Sequence, residues 1–144
     1  MRENMGLYRG KRKDNGKFVE GFYIFDGFDH YIVKFYTDEN AEGTLYPVQE
    51  AFEVIPETVG MCSGVPDKHG NLIYEDDFVR IDDDVKETFK RVEDGPVRFS
   101  RGGFFVNNYG DILSSFDVIA DFRGVLRGEV IGNIHDNQEL LEVK

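Results

Sequence analysis

Six acids fall within ten residues: Glu75, Asp76, Asp77, Asp82, Asp83 and Asp84, with Arg80 the only basic residue among them. Oxygen-rich sets of this kind suit Ca²⁺ or Mg²⁺. A helix–loop–helix calcium site needs a glycine at its sixth position and a glutamate at its twelfth. Counted from Asp82, the sixth residue is Glu87 and the twelfth is Glu93, so the glycine that makes the bend is missing. Solvated acids at strand ends are the expectation, with no metal and no cofactor assigned.

Cys62 is the only cysteine, and His30, His69 and His135 are the histidines a thiol nucleophile would need. No motif spacing relates any of them to Cys62, which follows Met61 in a glycine-bounded stretch, so a structural thiol is expected. Phosphate cradles are no better supported. Gly60 and Gly64 lack the Gly-Lys-Ser/Thr ending, and Ser100-Arg101-Gly102-Gly103 reads as a hairpin turn rather than a loop before a helix. Neither a Gly-x-Ser-x-Gly elbow nor a His-Glu-x-x-His pair is present. The chain is expected not to be an enzyme.

One binding feature remains. Arg9, Lys11, Arg12, Lys13 and Lys17 surround a single acid, Asp14, and form the candidate interaction tip. Such a tip would meet phosphate or an acidic protein surface. Residues 1–20 hold six Lys or Arg against three acids, whereas the remainder holds 11 against 25. A body this acidic repels phosphate backbones, which makes nucleic acid the less favoured partner of that tip. A protein partner, or self-association between the basic tip and the acidic body of another copy, is the favoured one. An accessory nucleic-acid-binding role and, behind it, a metal-dependent nucleotide-acting enzyme are the alternatives.

These groups must be positioned by strands. With 144 residues, 40% hydrophobic content, 13 Phe and 7 Tyr, the chain is long enough to bury a core without disulfides and is biased to β structure. No run of about 18 apolar residues occurs, and the N-terminus lacks the apolar stretch of a signal peptide, so a cytoplasmic protein without a membrane span is expected.

Leu7–Arg12 and Lys17–Phe25 read as a hairpin across Asp14-Asn15-Gly16. Both faces of the second strand look apolar enough for burial on both sides, and Gly21 within it signals a bulge or a close backbone approach. A turn at Asp26–Asp29 leads to a third strand, Tyr31–Tyr36. Then come a polar loop over Thr37–Gly43, a short strand at Thr44–Tyr46 and a helical turn over Pro47–Phe52. Val54-Ile55-Pro56 is extended, and Gly60–Gly70 is a glycine-rich connection.

Asn71–Tyr74 and Phe78–Ile81 read as short strands, Asp82–Asp84 as an exposed break, and Val85–Val92 as an edge strand. Pro96–Phe99 and Phe104–Asn107 make a second hairpin. Asp111–Phe122 fits helix or strand equally, Glu129–Ile134 is a strand, and Asp136–Leu141 opens with a helix-capping residue. The expected fold is mainly β, antiparallel, with few short helices. It divides into an N-terminal hairpin and sheet region, 1–57, and a C-terminal region, 58–144, with one shared compact unit as the alternative.

Three segments together carry a resemblance. They are Arg9-Gly10-Lys11-Arg12 with Asn15-Gly16-Lys17-Phe18-Val19; Pro56–Gly60 followed by Asp67-Lys68-His69-Gly70-Asn71-Leu72-Ile73-Tyr74-Glu75; and Glu129–Leu141. In this order, over nearly the whole chain, they resemble the YopX family of phage and prophage proteins. The resemblance implies a mainly β fold with an SH3-like barrel in its C-terminal part and a phage or prophage origin, hence the cytoplasm of a bacterial host. It supplies no reaction and no functional residue. The chain departs from the family pattern at Ser63-Gly64-Val65, usually Thr-Gly-Leu, and at Glu75-Asp76-Asp77, usually Glu-Gly-Asp. The second change puts an aspartate where a turn calls for glycine.

Overall fold

The computed structural model describes residues 6–90, 92–107 and 113–141. The chain is mainly β, its strands antiparallel, and it divides into two compact units between Met61 and Cys62. No helix among the described residues is long and apolar enough to cross a membrane.

The first unit begins with the expected hairpin, β1 (Leu7–Lys11) and β2 (Phe18–Phe25). Its turn is held by Arg12 N–H donating to the Lys17 carbonyl and by the Asn15 side chain accepting from Lys17 N–H. The Asp26 carboxylate accepts from the N–H groups of Phe28 and Asp29 and turns the chain into β3 (His30–Glu39). Asn40 does the same for Glu42 and Thr44 before β4 (Leu45–Glu53). The strand order is β4-β3-β2-β1.

The structure corrects several of the sequence expectations. β3 runs on to Glu39, so the polar loop begins only at Asn40. The stretch expected as a helical turn, Pro47–Phe52, is strand, in register with β3 throughout, Pro47 lying opposite Thr37. Proline is tolerated because β4 is outermost and its missing N–H falls on the side away from β3. Burial on both faces of β2 is also overturned: Val19 is buried, but Phe22, Ile24 and Phe25 are exposed. The close approach at Gly21 is real. A Cβ there would collide with the backbone carbonyl of Val33.

The two ends of this row of strands meet. Val54 donates to His30 on one side and is bridged to Arg12 on the other. Lys13 N–H donates to the Glu53 carbonyl and Ile55 N–H to that of Lys11. The Thr58 hydroxyl, on a 3-10 turn at Pro56–Thr58, accepts from Lys11 N–H. Val19, Ile32 and Val54 form the enclosed core, with Tyr8, Tyr23, Phe52 and Val59 packed around them.

β5 (Gly60–Pro66) is a strand rather than the glycine-rich connection expected. Gly60 and Met61 pair with β1, and Cys62 and Pro66 pair with β6 (Leu72–Tyr74).

In the second unit, β7 (Asp77–Ile81), β8 (Gly95–Ser100), β9 (Gly103–Asn107), β10 (Leu113–Ser115) and β11 (Gly128–Asn133) form a sheet in the order β10-β9-β8-β7-β11. The β8–β9 hairpin turns at Arg101 and Gly102, both with positive φ, which matches the twist of the flanking strands. No closed barrel is found among the described residues; β10 and β11 end the sheet without pairing to each other.

The edge strand expected at Val85–Val92 is instead a helix, α1 (Asp83–Thr88). The acidic run starts it: the Asp82 carbonyl accepts from Val85 and Lys86, and Asp83 and Asp84 occupy the first turn, where a helix dipole favours negative charge. The ambiguous segment resolves into β10 and a single helical turn, α2 (Phe116–Ile119), capped by the Ser115 hydroxyl. Ile112 lies outside the described residues. The C-terminal turn is a 3-10 turn at Gln138–Leu141. Ile73, Val79, Ile81, Val85, Val97, Val106, Phe116, Ile119 and Leu126 lead this unit's core.

Candidate interaction surface

Four of the five basic residues of the first hairpin touch acids or rings of the first unit. Arg12 grips Asp14 through two hydrogen bonds, 2.9 and 2.6 Å, and its guanidinium lies 4.3 Å from the Phe52 ring centre. That grip holds the Asp14 carboxyl below its ordinary range. Lys13 pairs with Glu53 at 2.7 Å. Arg9 and Lys11 lie over the ring of Phe18, 4.5 and 5.5 Å from its centre. Lys17 is exposed in the turn. Much of the hairpin's positive charge is therefore taken up by acids and rings of the first unit.

Five of the six clustered acids are likewise dispersed to separate tasks. Asp76 accepts from Arg98 at 2.5 Å and from His135 at 3.0 Å. Asp77 is buried and accepts from Tyr74 N–H at 2.8 Å. Asp82 pairs with Lys68, while Asp83 and Asp84 open α1. Among the described residues no three His, Cys, Asp or Glu side chains converge as metal ligands would.

Cys62 is buried in β5, where its sulfur accepts from Gly64 N–H. The histidines serve other groups. His30 meets the Tyr23 hydroxyl at 2.5 Å and stacks on Phe25. His69 bonds Glu129, and His135 bonds Asp76.

Two structural roles escaped the sequence reading. Asp67 is 1% exposed, and its carboxylate accepts from the N–H groups of His69, Asn71 and Val130. Burial alone would push this carboxyl up, but those N–H groups outweigh it and hold the group below its ordinary value. The Asp-x-x-Gly-Asn spacing was visible, yet Val130 is 63 positions away and left no local signal. Asp76 sits at φ +75, the glycine-like conformation, so the turn survives the substitution. Its carboxylate binds Arg98 and His135 in return.

The feature that does face outward is an arm. Among the described residues β2 pairs with β3 only over His30–Val33, whereas β3 and β4 pair from Tyr31–Glu53 out to Glu39–Leu45. Beyond Val33 the hairpin is thus a two-stranded ribbon. Every residue from 34 to 51 is exposed except the half-buried Val48. Its apolar side chains are largely open: Phe35, which meets the Phe22 ring edge-on at 5.8 Å, is still 60% exposed and Leu45 67%, with Tyr36 and Tyr46 also exposed. Phe35 and Leu45 share one face of the ribbon, Tyr36 and Tyr46 the other, by strand alternation. From residue 34 to residue 51 the arm holds four acids, Asp38, Glu39, Glu42 and Glu50, against one base, Lys34, which lies opposite Glu50. Two-stranded ribbons are marginal in water unless a third strand or another surface covers them.

The family model described as YopX protein matches residues 7–142. No curated protein matches the chain.

Proposed function

The chain belongs to the YopX family, and from that footing we propose that it is a small, non-catalytic, phage-encoded protein that works by binding another protein in the host cytoplasm. The observation that carries this reading is the exposed ribbon of Phe35, Tyr36, Leu45 and Tyr46. Large apolar side chains left open on both faces of one ribbon mark an interaction surface. The non-catalytic part is supported by the work already assigned to the reactive groups: Asp76, Asp77, Asp82 and all three histidines hold strands, turns or ion pairs. We read the second unit as an opened version of the SH3-like barrel, its β7–β8–β9 meander supplying the curved sheet and α1 the inserted turn.

Affinity capture from host lysate, with nuclease treatment, tests the reading. The wild-type chain should retain a protein after nuclease, and a Phe35→Ser/Leu45→Ser variant of unchanged thermal stability should not. Retention of nucleic acid alone, or equal retention by both chains, would overturn it.

A further inference from the structure

This inference rests on the interaction reading and names the chemistry of the partner. We propose that the outer edge of β4, from Pro47 to Ala51, accepts an extended basic segment of a partner protein as an added strand.

The hydrogen-bond parity of the arm fixes which backbone groups are available. Asn40 N–H donates to the Thr44 carbonyl at one end of the β3–β4 pair, and Val54 N–H to the His30 carbonyl at the other. Even-numbered residues of β4 therefore face β3, and odd-numbered residues face outward. Glu53 obeys the rule: its outward carbonyl is taken by Lys13 N–H. Closer to the tip, Gln49 and Ala51 each turn an N–H and a carbonyl outward, and Pro47 turns out a carbonyl alone. Proline at that position stops a longer ladder from forming, which is how edge strands are kept from pairing indiscriminately. What remains is a short recognition edge with a defined end.

Charge selects the occupant. The arm's four acids outnumber its one base, Lys34. Arg12 and Lys13, beside Ala51, are already paired with Asp14 and Glu53. The remaining charge attracts a cationic chain and repels nucleic acid. The same field disfavours a second copy of this protein, whose net charge is −11. Leu45 and Phe35 on one face, Tyr46 and Tyr36 on the other, flank the edge and offer apolar contacts to alternate side chains of the incoming strand. The fitting ligand alternates Lys or Arg with aliphatic residues.

The test titrates the full chain with a short synthetic peptide alternating Lys and Val, and with its Glu-for-Lys counterpart, while amide hydrogen exchange is followed by NMR. The Lys/Val peptide should slow exchange at Gln49 and Ala51 by about tenfold or more, while Val48 and Glu50, already bonded to β3, change little. Raising salt from about 0.05 to about 0.3 M should weaken the effect. Gln49→Pro, which removes an outward donor without touching the β3 ladder, should abolish it. Glu39→Gln/Glu50→Gln should weaken it with no backbone change.

Absence of protection at saturating peptide would overturn the proposal, as would equal binding of the Glu peptide or protection of the same amides by a self-dimer. If lysate capture still depends on Phe35 and Leu45 while the edge amides stay unprotected, strand addition fails and the interaction reading stands. Protection by the peptide with no protein retained from lysate gives the converse: the edge accepts a basic strand, and the host-partner reading fails.

Discussion

The carboxylate of Asp67 accepts the backbone N–H of Val130 at 3.0 Å, tying the turn before β6 to strand β11. Because the same buried carboxylate also serves His69 and Asn71, its loss strands three donors at once. Asp67→Ala should destabilise the second unit by about 3 kcal/mol, since each unsatisfied buried donor costs on the order of 1–3 and the effects overlap. Denaturant midpoints measure this; a change under about 0.5 kcal/mol would contradict the assignment.

The same group sets an acid limit. Its folded pKa lies below the unfolded value, so its contribution is complete above the unfolded carboxyl pKa of about 4 and is lost as pH falls through the lower folded value. Glu129, held down by His69 and then Arg80, acts in the same sense. Unfolding free energy should therefore be flat near neutrality and drop below about pH 4. In Asp67→Asn the drop should be shallower. An equal slope in both chains would mean that Asp67 does not set this limit.

Asp76 poses a contest between backbone and side chain. Replacing it with glycine relieves a left-handed conformation worth about 1 kcal/mol for aspartate. It also deletes charge-assisted bonds to Arg98 and His135, worth about 1.5–3 kcal/mol together in a site only 15% exposed. The side chain should win, leaving Asp76→Gly less stable by about 1 kcal/mol, with Asp76→Asn between. Thermal unfolding of the three chains decides the order, and a more stable glycine variant would show that backbone strain dominates instead.

Gly21→Ala should cost about 2–4 kcal/mol, because its Cβ meets the Val33 carbonyl and no flexible side chain can yield there. Gly16→Ala, where nothing lies near, tests φ alone and should cost about 1 kcal/mol. Equal costs at the two sites would mean that β2 and β3 separate more readily than their geometry implies.

The parts of this fold that were legible in the sequence are those whose cause is local. Asn15-Gly16 and Arg101-Gly102 announce hairpins through backbone conformations that few residues accept, and both form. The parts that were not legible have distant causes. Pro47 looks like the start of a helical turn until β3 is known to lie on the side that does not need its N–H. Val85–Val92 alternates weakly as a strand would, but Val85 is drawn into the core and the preceding acids favour a helix start. The interaction surface was harder still. The basic residues at 9–17 stand out by composition, yet Arg12 and Lys13 find acids within the same unit. The acidic arm exists because β2 parts from β3 at Val33 while β2 itself continues to Phe18 against β1, a divergence that no local motif encodes.

Tyr8 lies opposite Met61 across the β1–β5 pair. The first unit is thus entered and left at neighbouring points, which makes it a self-contained cassette. Its ends could be joined by a short linker and new termini opened at Asn40–Gly43, or the whole piece transplanted into a surface loop of an unrelated carrier, without altering a single strand pairing.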